Sequence, residues 1–159
     1  MPHEQERLED ALALAYRYLN ARERTAAEVR RNLERKGVDA VSTSEAVELL
    51  IQQGYIDDAR FARVFVEDKR ELQEWGSERI QNGLLARGID PELIHEALAD
   101  RAAVEETTEL ERALALLSRR FPSPPHERRE RDRALGLLVR KGYDPELALD
   151  ALAAYARGG

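Results

Sequence analysis

One segment is written three times in this chain, and it constrains the fold more than any other feature. Leu33-Glu-Arg-Lys-Gly37-Val-Asp39 returns as Leu84-Leu-Ala-Arg-Gly88-Ile-Asp90 and again as Leu138-Val-Arg-Lys-Gly142-Tyr-Asp144. Each copy puts leucine four residues before a glycine, a basic residue directly before that glycine, and an apolar residue and an aspartate after it. The leucine belongs to a helix face, because Val29 and Leu33, Ile80 and Leu84, and Ala134 and Leu138 are each four apart. A cation in the last turn complements the negative helix end. Glycine just past that end adopts a left-handed backbone without steric cost. In the second and third copies, Asp90 and Asp144 cap the next helix. Pro91 and Pro145 follow at its first position, where no amide hydrogen is missed.

The three glycines are 51 and 54 residues apart, a period too long for a two-helix unit and suited to three short helices. The other helices follow from the same rules. Leu8, Leu12, Ala15 and Leu19 stripe a first helix, and Thr25 with Glu28 reads as a capping box opening the second. Ser42 with Glu45 is expected to open the third, with Ala46, Val47, Leu50 and Ile51 as its apolar face and Gly54 at its end. Asp57 or Asp58 starts the next helix, whose buried side is Phe61, Ala62, Phe65 and Val66 and which is expected to run to Trp75-Gly76. Thr108 with Glu111 starts a helix carrying Leu110, Leu114 and Leu117, and Phe121-Pro-Ser-Pro-Pro125 is a loop. The fold class expected is all-α. Three tandem three-helix repeats, 8–56, 57–105 and 106–157, form an elongated, curved array.

Composition removes several function classes. The chain has 159 residues and no cysteine, which excludes disulfides, thiolate metal sites and cysteine nucleophiles. No apolar stretch approaches the roughly 20 residues of a transmembrane helix, and the polar start lacks a secretory signal, so a cytoplasmic protein without membrane contact is expected. His3, His95 and His126 lack ligand spacing, and the glycines stand singly rather than in a phosphate loop. No cofactor, metal or catalytic activity is expected. Asp57 and Asp58 are explained by capping rather than by a metal.

A net charge of −6 argues against a general electrostatic grip on nucleic acid. The acidity is concentrated in the middle of the chain, while the last third is close to neutral. Among the basic residues only Lys36, Lys69 and Lys141 are lysine. Arginine suits phosphate or carboxylate recognition through its planar fork, although surface ion pairing accounts for the same bias. Three groups are candidate contacts. Arg24, Arg31 and Arg35 recur at helical spacing, and Arg79 and Arg87 flank Gln81 and Asn82 on one helix. Arg128, Arg129, Arg131 and Arg133 crowd together, interleaved with Glu127, Glu130 and Asp132. The first group is equally readable as a solvated helix face, and the interleaved acids of the third allow its charge to be paired along such a face. Trp75 beside Gly76 is read as packing at a helix boundary rather than as a stacking anchor, and Phe61 and Phe65 as core.

Gly54-Tyr-Ile-Asp-Asp-Ala-Arg-Phe-Ala62, Trp75-Gly-Ser-Glu-Arg-Ile80 with Leu84, and Arg87-Gly88-Ile89 resemble the RecX regulatory protein family, as does Arg22-Glu-Arg-Thr25. The resemblance runs from about Leu8 to Tyr155. It implies a regulator that binds along the groove of the RecA filament on single-stranded DNA and restrains ATP hydrolysis, strand exchange and stimulated repressor cleavage. The acidic balance departs from the basic lean of many filament-binding proteins. Contact with RecA is therefore the main expectation and single-stranded DNA a weak one, with a monomer expected. Two alternatives remain: a helix-turn-helix-like DNA-binding transcriptional regulator reading bases through residues 77–87, and a passive helical scaffold for an unrelated protein.

Overall fold

Nine helices follow one another in a computed structural model that describes residues 2–105 and 107–158, with side chains over 3–99 and 107–158. They are α1 (Pro2–Ala21), α2 (Ala26–Arg35), α3 (Ala40–Gln52), α4 (Asp58–Glu71), α5 (Ser77–Ala86), α6 (Pro91–Glu105), α7 (Glu109–Arg120), α8 (Arg128–Lys141) and α9 (Pro145–Gly158). No strand occurs among the described residues. Residue 106, with which the third repeat is expected to open, lies outside them.

The repeated segment forms the end of the middle helix of each repeat. Leu33, Leu84 and Leu138 are all fully buried, and truncating any one to alanine should cost about 2–5 kcal/mol. Gly37, Gly88 and Gly142 all take positive φ. The residue after each glycine closes the helix end, with Val38, Ile89 and Tyr143 amides donating to the Leu33, Leu84 and Leu138 carbonyls. Thr25 and Glu28 make the reciprocal capping box at α2, and the Thr108 hydroxyl caps α7 through the Glu111 amide.

Four expectations are corrected. The third helix opens at Asp39, not at Ser42: the Asp39 carboxylate accepts from the Ser42 amide at 3.0 Å, and Ser42 and Thr43 are buried inside the helix. That amide holds the Asp39 carboxyl below its ordinary pKa. Ile51 does not belong to the apolar face formed by Ala46, Val47 and Leu50: it is 46 % exposed while they are fully buried. The fourth helix ends at Glu71 rather than continuing to Trp75, because Glu74 takes a left-handed φ of 60° and the Trp75 amide reaches back to the Lys69 carbonyl. Phe65 is buried as expected, whereas Phe61 is only half-buried.

The chain divides into two compact units, Met1–Ala62 with Leu84–Ile94, and Arg63–Gly83 with His95–Gly159. In the first, α1, α2 and α3 pack on one another around Ala11, Ala15, Val29, Leu33, Val47 and Leu50. Tyr16 meets Tyr55 edge to face at 5.4 Å, and its hydroxyl donates to Gln53. In the second, α9 packs on α7 and α8 around Leu116, Leu117, Leu138, Tyr143 and Leu152.

Each unit contains one junction between successive repeats, and the two junctions use the same parts. In the first unit, the start of α2 receives the end of α5. The Thr25 hydroxyl donates to the Arg87 carbonyl at 2.7 Å, Gly88 lies against Ala27, and the Ala26 amide donates to Asp58 in the first turn of α4. In the second unit, the start of α5 receives the end of α8. The Gly76 amide donates to the Lys141 carbonyl, Gly142 lies against Arg79, and the Ser77 amide donates to Glu109 in the first turn of α7. A helix start has unpaired amides; a carboxylate from the next repeat satisfies one at each junction, and a carbonyl satisfies a second at α5. Burial of the Asp58 carboxyl outweighs its bond from Ala26 and the nearby Arg30 charge, and raises its pKa.

Candidate partner-binding surface

The arginines singled out by sequence separate into those employed by the fold and those left outside it. Arg24 does not join Arg31 and Arg35 in one stripe. It precedes α2, where its guanidinium lies over the Tyr18 ring at 4.1 Å. Arg31 and Arg35 remain four apart on the exposed face of α2, with the Arg31 guanidinium close to Gly88. Arg79 stacks on Trp75 at 4.1 Å and donates to the Arg140 carbonyl at 3.2 Å. Arg87 is half-buried at the junction with α2.

Trp75 stands between α4 and α5. Its ring meets Phe65 edge to face at 6.1 Å, and Lys69 and Arg79 both lie over it. The Lys141 ammonium donates to the Gln73 carbonyl, and Arg119 pairs with Glu74, so the turn between α4 and α5 is fastened to α7 and α8. Gly76 is buried here, and only glycine fits, because a Cβ would come within 2.5 Å of the Gly142 carbonyl oxygen.

Arg128, Arg129, Arg131 and Arg133 are exposed, and no salt bridge among the described residues involves them. Their helix is built differently from its counterparts. Both α2 and α5 begin 11 residues before their glycine, at Ala26 and Ser77, whereas α8 begins 14 before Gly142. The position matching Thr25 and Gly76 is Glu130, already inside α8. The added turn therefore carries Arg128 and Arg129 where the other repeats carry a junction. Placing cations at a positive helix start is unfavourable by about 0.3–1 kcal/mol each. Glu127, at the N-cap, makes no side-chain capping bond.

Sequence reasoning missed Arg120, Phe121 and Arg140. With Arg133 and Leu137 they line a cleft of about 260 Å³. Arg120 and Phe121 stand at the end of α7, and only the fold brings them beside the far end of α8. Among the described residues no group of His, Cys, Asp or Glu is placed to hold a metal, and no helix is long and apolar enough to cross a membrane.

Comparison with known proteins decides the family. A family model described as the first three-helix domain of RecX matches residues 11–50, and the model of the second matches 57–98. The chain belongs to the RecX family. A protein of Trichlorobacter lovleyi named Regulatory protein RecX is 38 % identical over 142 residues, covering 87 % of this chain and 90 % of its own length. One of the same name from a Mycobacterium species (strain JLS) is 32 % identical over 152 residues, covering 94 % and 83 %. The crystal structure of RecX from Lactobacillus salivarius superposes with a TM-score of 0.80 at 21 % identity, over 98 % of this chain and 99 % of that one. A second RecX crystal structure gives 0.74 at 19 %, over 99 % and 74 %. At those identities the likeness is one of fold, that of a tandem helical-repeat protein. The RecX relatives carry the name of a regulator, not of an enzyme.

Proposed function

We propose that this chain binds the RecA filament on single-stranded DNA and inhibits its ATP hydrolysis, strand exchange and coprotease activity. Membership of the RecX family over most of the chain carries this reading. It acts as a non-catalytic, cytoplasmic, monomeric regulator built of repeats 8–56, 57–105 and 106–157. The exposed Arg31, Arg35, Arg128, Arg129, Arg131 and Arg133 supply contacts to acidic RecA surface or, weakly, to DNA. Arg24, Arg79 and Arg87 contribute less, because each is already engaged within the fold.

Reading of duplex sequence by α5 is disfavoured. Base recognition needs exposed side chains free to reach groove edges. Here Arg79 is stacked on Trp75 and bonded to α8, and both ends of α5 are taken up in junctions.

The test is RecA ATP hydrolysis on single-stranded DNA during titration with this protein, with co-sedimentation on the same filaments. Inhibition at well below one molecule per RecA protomer, with binding that persists as salt rises, is the expected outcome. Unchanged hydrolysis without co-sedimentation sinks the reading and leaves a helical scaffold with another partner.

A further inference from the structure

The cleft between the end of α7 and the last turns of α8 gathers three cations around an apolar floor. Arg120, Arg133 and Arg140 line it together with Phe121 and Leu137. Neighbouring Arg119 is paired with Glu74, but no salt bridge among the described residues involves the three lining arginines. Like charges drawn into one small cleft repel, and an anion placed among them removes that repulsion. Arg129 stands one turn before Arg133 on the same face of α8 and extends the positive stripe outward.

Two further observations bear on the shape of the cleft. Gly136 lies in the interior of α8, where glycine weakens a helix. A Cβ there would stand 3.0 Å from the Arg140 Nη1 atom, so the missing side chain gives the guanidinium room to lie back along the helix. At the other wall, the Tyr155 hydroxyl donates to the Phe121 carbonyl, fixing the residue that presents the aromatic surface.

We propose that this cleft is a phosphate site taking a nucleotide unit, with the phosphate on the guanidinium forks of Arg120, Arg133 and Arg140 and the base against Phe121 and Leu137. Arginine forks match phosphate oxygens two at a time, and a base offers the flat apolar surface the floor lacks a cover for. Bare phosphate would fill only the charged half. The unit comes either from a single-stranded nucleic acid or from a free nucleotide. The proposal does not depend on RecA.

Anisotropy of a short fluorescein-labelled oligothymidylate, titrated with the full chain, tests it. Arg133→Gln with Arg140→Gln should weaken binding by at least about tenfold, and Phe121→Leu by about five- to tenfold. Gly136→Ala should also weaken binding while leaving the thermal midpoint unchanged or higher, which separates lost recognition from lost folding. ATP competing at the same site as the oligonucleotide assigns the source to free nucleotides. Oligonucleotide binding that ATP does not displace, yet that the variants abolish, assigns it to a strand. Equal binding by wild type and the double arginine variant overturns the proposal, as does failure of wild type to bind either probe. Inorganic phosphate competing as well as ATP, with Phe121→Leu silent, also overturns it, since the cleft is then a plain anion patch.

Discussion

The Thr25 hydroxyl does two things at once: it accepts from the Glu28 amide at 3.1 Å and donates to the Arg87 carbonyl at 2.7 Å. One buried oxygen thus caps α2 and holds the end of α5. Thr25→Ala should cost about 2 kcal/mol, about half from the lost cap and half from the stranded carbonyl. Thr25→Ser should retain most of that stability. Urea unfolding of the two variants beside wild type measures it, and equal losses in both would contradict the account.

The three repeat glycines share positive φ but not surroundings. A Cβ at Gly142 would come within 2.2 Å of the Arg79 Cβ and one at Gly88 within 2.3 Å of the Ala27 Cβ, whereas nothing among the described residues lies within 4 Å of one at Gly37. Gly37→Ala should therefore cost only backbone strain, about 1–2 kcal/mol. Gly88→Ala and Gly142→Ala should cost about 1–3 kcal/mol more, because backbone and Cβ atoms cannot swing aside. Thermal unfolding of the three alanine variants gives the order.

Burial pushes the Tyr143 hydroxyl up to about 12, with Glu109 adding to the rise. In the unfolded chain it ionises near the ordinary value of about 10. The unfolded state thus releases this proton first, and the stability present below about pH 10 falls as pH rises toward 12. Tyr143→Phe removes that titration. Its stability should decline less steeply than wild type across this alkaline range in denaturant titrations, whatever its offset at neutral pH.

Arg128 sits in the first turn of α8 against the positive helix end. Arg128→Glu should raise stability by about 0.3–1 kcal/mol. Under the proposed function the same change should weaken inhibition of RecA ATP hydrolysis. A variant both less stable and fully inhibitory would remove the case for Arg128 as a contact.

Trp75 is the only tryptophan, so intrinsic fluorescence reports on its stack with Arg79 and Lys69. Arg79→Ala should cost about 0.5–1 kcal/mol from that stack and shift the emission to longer wavelength as water reaches the ring. Unchanged emission would mean that the guanidinium does not cover the indole in solution.

Local chemistry was legible wherever one residue type does one thing at short range. Thr25 with Glu28, Thr108 with Glu111, and the proline-marked starts at Asp90 and Asp144 follow from spacing alone, as do the buried leucines before each glycine. Asp39 was equally available, since it stands where Asp90 and Asp144 stand in the other copies. The nearby Ser42-Glu45 pair offered a competing box, and only packing excluded it: Ser42 and Thr43 had to be inside the helix. The end of α4 was not legible, because nothing local announces a left-handed Glu74.

By itself the sequence determined that this chain is helical, that it counts in threes, and where most of its helices begin and end, because those properties depend on residues three or four apart. Tertiary structure decided which arginines are employed and which are left over. Arg79 is spoken for by Trp75 and a carbonyl 61 residues away, while Arg120, Arg133 and Arg140, from two helices, line one cleft and form no salt bridge among the described residues. A charge on a helix face looks the same in sequence whether its partner is an acid, a ring, a carbonyl or nothing. What that partner is depends on which helix packs beside it.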